Sequence, residues 1–120
     1  MEIIINIAIV AFLVWFLAQR FLPAKGVKQI TTSELKPLLK EKKTQFIDVR
    51  TPMEYNANRI RQFKNIPLAN LAQKQLELAK DQEIVVICQS GMRSNKASKL
   101  LKKKGFEKVT NVKGGMSTWV

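Results

Sequence analysis

The sequence contains no histidine and a single cysteine. Without an imidazole, a Ser-His-Asp triad, a Cys-His pair, an H-E-x-x-H zinc site and a Cys/His zinc finger are all excluded. Any nucleophile must be activated by other means, and no metal centre or cofactor is expected. One cysteine cannot close an internal disulfide, so no disulfide framework holds this fold together. Acidic residues are also scarce: nine Asp and Glu stand against 21 Lys and Arg, a formal net charge of +12. That balance favours an anionic partner, whether a lipid surface, a nucleic acid or a small anion. Apart from Lys102-Lys103-Lys104 the basic residues are dispersed, with no aromatic-interleaved basic motif. Nucleic acid is therefore not an expected partner. There is no internal repeat and no low-complexity tract, and 120 residues allow one compact domain.

One long apolar run is present. Residues 3–22 carry only Asn6, Gln19 and Arg20 as polar members. A helix of about 20 residues spans a hydrocarbon core of about 30 Å. Arg20 lies where its stem can snorkel to the headgroups, and Trp15, Phe16 and Phe21 lie toward the same end, as an interfacial belt requires. The rivals are a cleaved signal peptide and a buried core helix. A signal peptide begins with positive residues and ends in small ones, whereas this segment opens with Glu2 and exits through Gln19-Arg20-Phe21-Leu22-Pro23. Residues 1–22 are thus expected to be an uncleaved single-pass anchor. Arg20, Lys25 and Lys28 follow the span and only Glu2 and the terminal amine precede it, which places the C-terminal domain in the cytoplasm. A reducing compartment also keeps a lone cysteine free.

After a short linker, residues 23–26, the remaining 27–120 form the expected soluble domain. It holds nearly all the charge; anionic lipid is an added attraction for its basic surface. Thr31-Thr32-Ser33-Glu34 fits a capping box opening a helix through about Lys42, weakened by Pro37. Phe46-Ile47-Asp48-Val49 reads as a strand, and Thr51-Pro52-Met53-Glu54 as a cap with proline at the first helical position. A helix is expected from Leu71 to about Ala79 with Ala72, Leu76 and Ala79 on one face. Ile84-Val85-Val86-Ile87 is an uninterrupted β-branched run suited to a central parallel strand. Residues 92–104 read as a helix burying Ala97, Leu100 and Leu101, ended by Gly105, and residues 108–112 as a further strand. Strands separated by helices of this length imply right-handed crossovers, a parallel sheet and a small α/β domain.

In open α/β sheets ligands bind beyond the carboxyl ends of the strands. Cys88 directly follows one strand and Asp48 ends another, so parallel strands put both on one edge. Cys88-Gln89-Ser90-Gly91-Met92-Arg93 then runs from strand end to helix start. Such a loop can turn several backbone N–H groups inward, with Gly91 permitting positive φ and the helix dipole pointing in. Arg93 adds a cation. The result is an anion cradle with sulfur at its base, whose field favours thiolate over thiol. The plain alternative for Cys88 is a small buried apolar residue.

The sequence resembles the rhodanese-like sulfurtransferases. The resemblance is carried by Phe46-Ile47-Asp48-Val49-Arg50-Thr51-Pro52-Met53-Glu54-Tyr55, by Asn65-Ile66-Pro67-Leu68, by Cys88-Gln89-Ser90-Gly91-Met92-Arg93-Ser94 and by Gly114-Gly115-Met116-Ser117-Thr118-Trp119, in family order. It implies a rhodanese-like α/β domain, a central parallel five-stranded sheet flanked by helices, here preceded by one transmembrane helix. It also implies that Cys88 accepts sulfur and holds it as a persulfide, that Gln89, Ser90, Gly91, Met92 and Arg93 bind the anionic sulfur, and that Asp48 and Arg50 support the loop by salt bridging. Glu54 reads as a helix cap, Gly114-Gly115 as a tight turn and Trp119 as a core residue. Asn58-Arg59-Ile60 replaces the family's usual Gly-His-Ile, and Gln62-Phe63 its Gly-Ala, which bears on the local turn and the pocket rim. The family's closing helix has almost no counterpart after Trp119.

The reaction implied is transfer of sulfane sulfur from thiosulfate or a persulfide donor to a thiol or cyanide acceptor. Its partners would be a small anionic sulfur donor and a thiol. The alternatives are a membrane-tethered, non-enzymatic interaction module and a cysteine-type phosphatase or arsenate reductase. The last needs Cys-x5-Arg around a tetrahedral oxyanion, and only four residues separate Cys88 from Arg93.

Overall fold

The computed structural model describes residues 1–22 and 24–120, with the side chains of Arg20 and Phe21 outside that description. The roles expected for Arg20, Phe21 and Pro23 therefore lie outside the described residues.

Strand β4, Ile84–Ile87, has all four side chains fully buried and lies in the middle of the sheet. A strand covered on both faces has no polar face to alternate with, which is why its sequence is an unbroken apolar run. Its neighbours are β2, Gln45–Asp48, and β5, Val109–Val112, both parallel to it. Two short strands complete the edges, β1 at Lys28–Ile30 against β5 and β3 at Lys64–Asn65 against β2. The order is β1-β5-β4-β2-β3 and every pairing is parallel. One apolar cluster, including Ile47, Leu71, Val86, Ala97 and Leu101, fills one side of the sheet; a second, including Ile30, Leu35, Phe46, Phe63, Val85 and Val112, fills the other.

The helices follow local chemistry closely at their starts and less closely at their ends. Helix α2, Thr32–Leu38, and helix α3, Pro52–Ala57, both open with complete capping boxes, Thr31 with Glu34 and Thr51 with Glu54. Helix α2 contains Pro37 but stops at Leu38 and not near Lys42: Leu39 N–H turns to the Lys36 carbonyl and Glu41 N–H to that of Leu38, so the chain tightens into three-residue turns. Helix α4 spans Leu68–Lys74 and tightens into a 3₁₀ turn at Gln75–Glu77. It starts three residues before Leu71 and buries Leu71 and Gln75, whereas Ala72 is exposed and Leu76 is 73% exposed. Leu68 and Leu78 pack against the same cluster, so the apolar stripe runs through 68, 71, 75 and 78, one position out of phase with the expected face. Helix α5, Met92–Lys103, buries Ser94, Asn95, Ala97, Ser98 and Leu101, with Leu100 at the margin. It ends at Gly105, φ +99°, where Phe106 N–H reaches the Leu101 carbonyl and Gly105 N–H the Lys102 carbonyl, the paired bonds of a Schellman stop.

The sequence departures at residues 58–63 are absorbed without disturbing the sheet. Phe63 is buried against Phe46, ring centroids 5.2 Å apart, and its carbonyl accepts the Tyr55 hydroxyl. Arg59 lies over the Tyr55 ring at 5.0 Å. Trp119 is half-buried against the second cluster, with Lys36 Nζ 5.3 Å from its ring.

Helix α1, Glu2–Phe21, precedes all of this. Its residues 2–19 are apolar and long enough to cross a membrane, and none of that span is buried in the protein. The core-helix alternative is thereby overturned. Past α1, Ala24 is 3% exposed and its N–H donates to Asn95 Oδ1 at 2.8 Å, while Asn95 Nδ2 donates to the Leu22 carbonyl at 2.9 Å.

Candidate active site

The sheet register brings the candidate residues to one edge. Asp48 pairs with Ile87 across β2 and β4, so both strands end at the same level and Cys88 is the next residue out. Cys88 is fully buried and is the one free cysteine. Its Sγ accepts the Gly91 N–H at 3.0 Å. Gly91 takes φ +99° there as the residue preceding α5. A Cβ at Gly91 would also lie 3.1 Å from the Gly114 nitrogen. Glycine is therefore demanded by conformation and by contact. The amides of Met92, Arg93 and Ser94 open α5 and have no intrahelical acceptor, so the positive end of the helix faces the sulfur.

A second turn holds the loop from behind. The 3₁₀ turn Gly115–Thr118 donates Met116 N–H to the Cys88 carbonyl and Ser117 N–H to the Gln89 carbonyl, both at 2.9 Å. In a trans peptide C=O and N–H point in opposite directions. Tying back these two carbonyls therefore turns the Gln89 and Ser90 amides away from the turn. Gly115, at φ +54°, lies so close to the Cys88 carbonyl that no Cβ fits between them. The Gly114-Gly115 pair thus does more than reverse the chain: it lets one backbone press on another directly beneath the cysteine.

Asp48 and Arg50 form a buried pair, 0% and 2% exposed. Arg50 Nε donates to both Asp48 carboxylate oxygens and Nη2 to Oδ2 at 2.8 Å. Its remaining donors reach the Asn58 and Glu54 carbonyls and, at 3.4 Å, the Gln89 side chain. One guanidinium therefore ties the end of β2, the Glu54 carbonyl and the C-cap of α3, and the cysteine loop together. Asn65 adds to this, its Nδ2 donating to the Asp48 and Arg50 carbonyls at 3.0 Å each.

Arg93 is not a lone cation. Its two Nη atoms contact the two oxygens of Glu54 at 2.7 and 2.8 Å, a bidentate pair that offsets much of its charge and fixes its position. The Arg93 hydrogen bonds hold the Glu54 carboxyl down to about 2, with the Thr51 cap bonds adding to the effect. Glu54 in turn raises Arg93. Glu54 thus serves two elements at once, capping α3 and clamping the start of α5. Of the other loop residues, Gln89, Ser90 and Met92 are exposed. Sequence reasoning missed the Glu54–Arg93 clamp, the Asn65 brace and the Gly115 approach. Only the doubled glycine carried a signal for the last. Among the described residues no group of three His, Cys, Asp or Glu could hold a metal ion.

An edge that combines a buried sulfur, inward amides and a helix N-terminus can stabilise negative charge on sulfur and on a group leaving from it. The comparisons agree with that architecture. The chain is similar to the uncharacterized protein YqhL of Bacillus subtilis, 32% identical over 118 residues, covering 98% of this chain and 92% of that one. It is also similar to the thiosulfate sulfurtransferase GlpE of Pseudoalteromonas translucida, 33% identical over 92 residues, 77% of this chain and 88% of that one. Among solved structures, a rhodanese-like domain protein from Staphylococcus aureus matches with TM-score 0.72 and 36% identity, covering 78% of this chain and 92% of that one. Residues 31–120 match the rhodanese-like domain as a family, and with its five-stranded parallel sheet and loop at the strand ends the chain belongs to that family.

Proposed function

We propose that the chain is a membrane-anchored sulfurtransferase, moving sulfane sulfur from thiosulfate or a persulfide donor to a thiol or cyanide acceptor through a persulfide on Cys88. The observation that carries this reading is the Gly91 N–H on Cys88 Sγ at the N-terminus of α5. Cys88 thiolate attacks the outer sulfur of the donor, forming a new S–S bond. The donor's own S–S bond breaks and its electron pair leaves with sulfite or a thiol. The amides of Gln89, Ser90, Gly91 and Met92, with Arg93, bear the charge on the leaving group and then on the persulfide. The acceptor then attacks the outer sulfur, and the electron pair returns to Cys88. Asp48 and Arg50 act by positioning, since both are buried and engaged with backbone and Gln89.

In this reading residues 1–22 anchor the chain in the membrane, 23–26 link, and 27–120 form the catalytic domain on the cytoplasmic side. No cofactor takes part. The length and apolarity of α1 and the basic residues after it support the anchor.

Intact mass of the full chain in detergent after incubation with thiosulfate tests the cycle. The expected result is one added sulfur atom, removed by cyanide and absent in Cys88→Ser. A folded chain that gains no sulfur from thiosulfate or from any persulfide donor would overturn it and leave the interaction-module reading.

A further inference from the structure

A cleft of about 690 Å³ lies between the end of α1 and the start of α5. Its walls are Trp15, Phe16 and Gln19 from α1, Leu68 from α4, and Met92, Arg93, Lys96 and Lys99 from α5. Three of its lining residues are basic and none is acidic. Arg93 is offset by Glu54, whereas Lys96 has no carboxylate partner among the described residues and Lys99 Nζ reaches only the Gln19 carbonyl, at 3.3 Å. Two cationic charges therefore remain uncompensated beside an aromatic wall.

The polarity of the cleft is graded along α1. From Gln19 back to Trp15 is four residues, about 6 Å of helix rise. Over that distance the lining passes from lysines and amides to indole and phenyl. The same order, over about 5–10 Å, runs from the phosphate of a phospholipid to its first acyl carbons. Helix α5 fits the matching surface. Met92, Lys96, Lys99 and Lys103 recur at i, i+4, i+7 and i+11, all exposed, on the face opposite the buried Ser94, Ala97, Ser98 and Leu101. That row would lie along the headgroups if α1 crosses the bilayer.

We infer that this cleft binds one anionic phospholipid, its phosphate held by Lys96 and Lys99 and its acyl chains lying along Trp15 and Phe16. The inference rests on the membrane placement of α1 proposed above, and not on the sulfur chemistry. Met92 and Arg93 belong both to the cleft and to the cysteine loop. The bound lipid therefore sits against the loop and holds it toward the membrane surface, where an acceptor confined to that surface would reach it.

Trp15 reports occupancy directly. The full chain carrying Trp119→Phe, which leaves Trp15 as the only indole, is reconstituted in vesicles of phosphatidylcholine with a minor fraction of phosphatidylglycerol. Bromine is placed on the acyl chains of one lipid or the other. Brominated phosphatidylglycerol is expected to quench Trp15 as though enriched about tenfold over its share of the bilayer. Lys96→Gln with Lys99→Gln is expected to reduce that enrichment to the phosphatidylcholine level. Soluble inorganic phosphate is expected not to compete. Quenching in proportion to mole fraction, an enrichment that survives both lysine substitutions, or displacement by free phosphate would each overturn the lipid site. Absence of quenching by either lipid would overturn the membrane placement and the site with it, while leaving sulfur uptake by Cys88 to be judged on its own measurement.

Discussion

At the scale of single residues, the candidate site is held by charges that are nearly all committed. Arg50 is buried with Asp48, and every donor it offers is used. Removing one partner from such a pair leaves the other charge buried and unpaired, at a cost of about 3–5 kcal/mol. Arg50→Met is therefore expected to lower the urea midpoint sharply, whereas a surface change such as Lys74→Met is not; equal midpoints would mean that the pair is not structural. Glu54 gives a pH signature. Its carboxyl is held at about 2 in the folded chain against an ordinary 4.5. As the pH falls, the unfolded chain takes up this proton first, so folding loses ground. The contribution is complete above about pH 4.5 and disappears as the pH falls toward about 2. Glu54→Gln is expected to remove that part of the acid sensitivity, read as a flatter stability profile between those values. The salt bridges expected from Asp48 and Arg50 to the loop join the two residues to each other instead, with only Arg50 reaching Gln89; that both lie at the site was legible in one short motif. The Glu54–Arg93 clamp was not, because 39 positions separate the partners and the local cap already accounts for a glutamate at that place.

At the scale of elements, two substitutions separate support of the core from support of the loop. Phe63 fills a buried core position, and Phe63→Ala is expected to cost about 3–5 kcal/mol. Because Phe63 packs on Phe46 and lies away from Cys88, sulfur transfer below the melting transition should stay near wild type. Gly115→Ala should disturb both. Its φ of +54° costs an L-residue about 1–2 kcal/mol, and its Cβ would overlap the Cys88 carbonyl oxygen, so the loop backbone must shift. Turnover is then expected to fall by more than the stability loss predicts; parallel losses in the two variants would count against the backing role of the 115–118 turn. Legibility differed among elements for reasons that are physical. Both capping boxes, β4 and the Gly105 stop were readable because each is fixed by chemistry within six residues. The edge strands Lys28–Ile30 and Lys64–Asn65 were not read from periodicity, since two or three residues cannot display a period and both are defined by the strand beside them. The α4 stripe was misread by one position because Gln75, a polar residue, fills a buried place that an apolar pattern passes over.

At the scale of the whole molecule, charge and attachment act together. A net charge of +12 concentrates anions near the domain, and screening shortens that reach to about 8 Å at physiological ionic strength. If thiosulfate is a donor, its capture, read as kcat/KM, should fall as salt rises while kcat changes little; a salt-independent kcat/KM would show that the field plays no part. Attachment depends on a different residue. The backbone leaving α1 is held by Asn95 alone among the described side chains on α5 that bond it at both ends, through the Leu22 carbonyl and the Ala24 N–H. Asparagine is well suited because its side chain carries a donor and an acceptor on one rigid plane, matching the two backbone groups simultaneously. Asn95→Ala removes both bonds and leaves a buried N–H at Ala24, which costs about 1–3 kcal/mol locally. Opening that is easier by this amount speeds exchange of the Ala24 amide by about 5- to 150-fold, and amides of β4, which open only with the whole domain, should speed up by no more than that factor. If Ala24 exchanges at the wild-type rate in Asn95→Ala, α1 is held to the domain by other contacts, and the two Asn95 bonds do not carry the attachment.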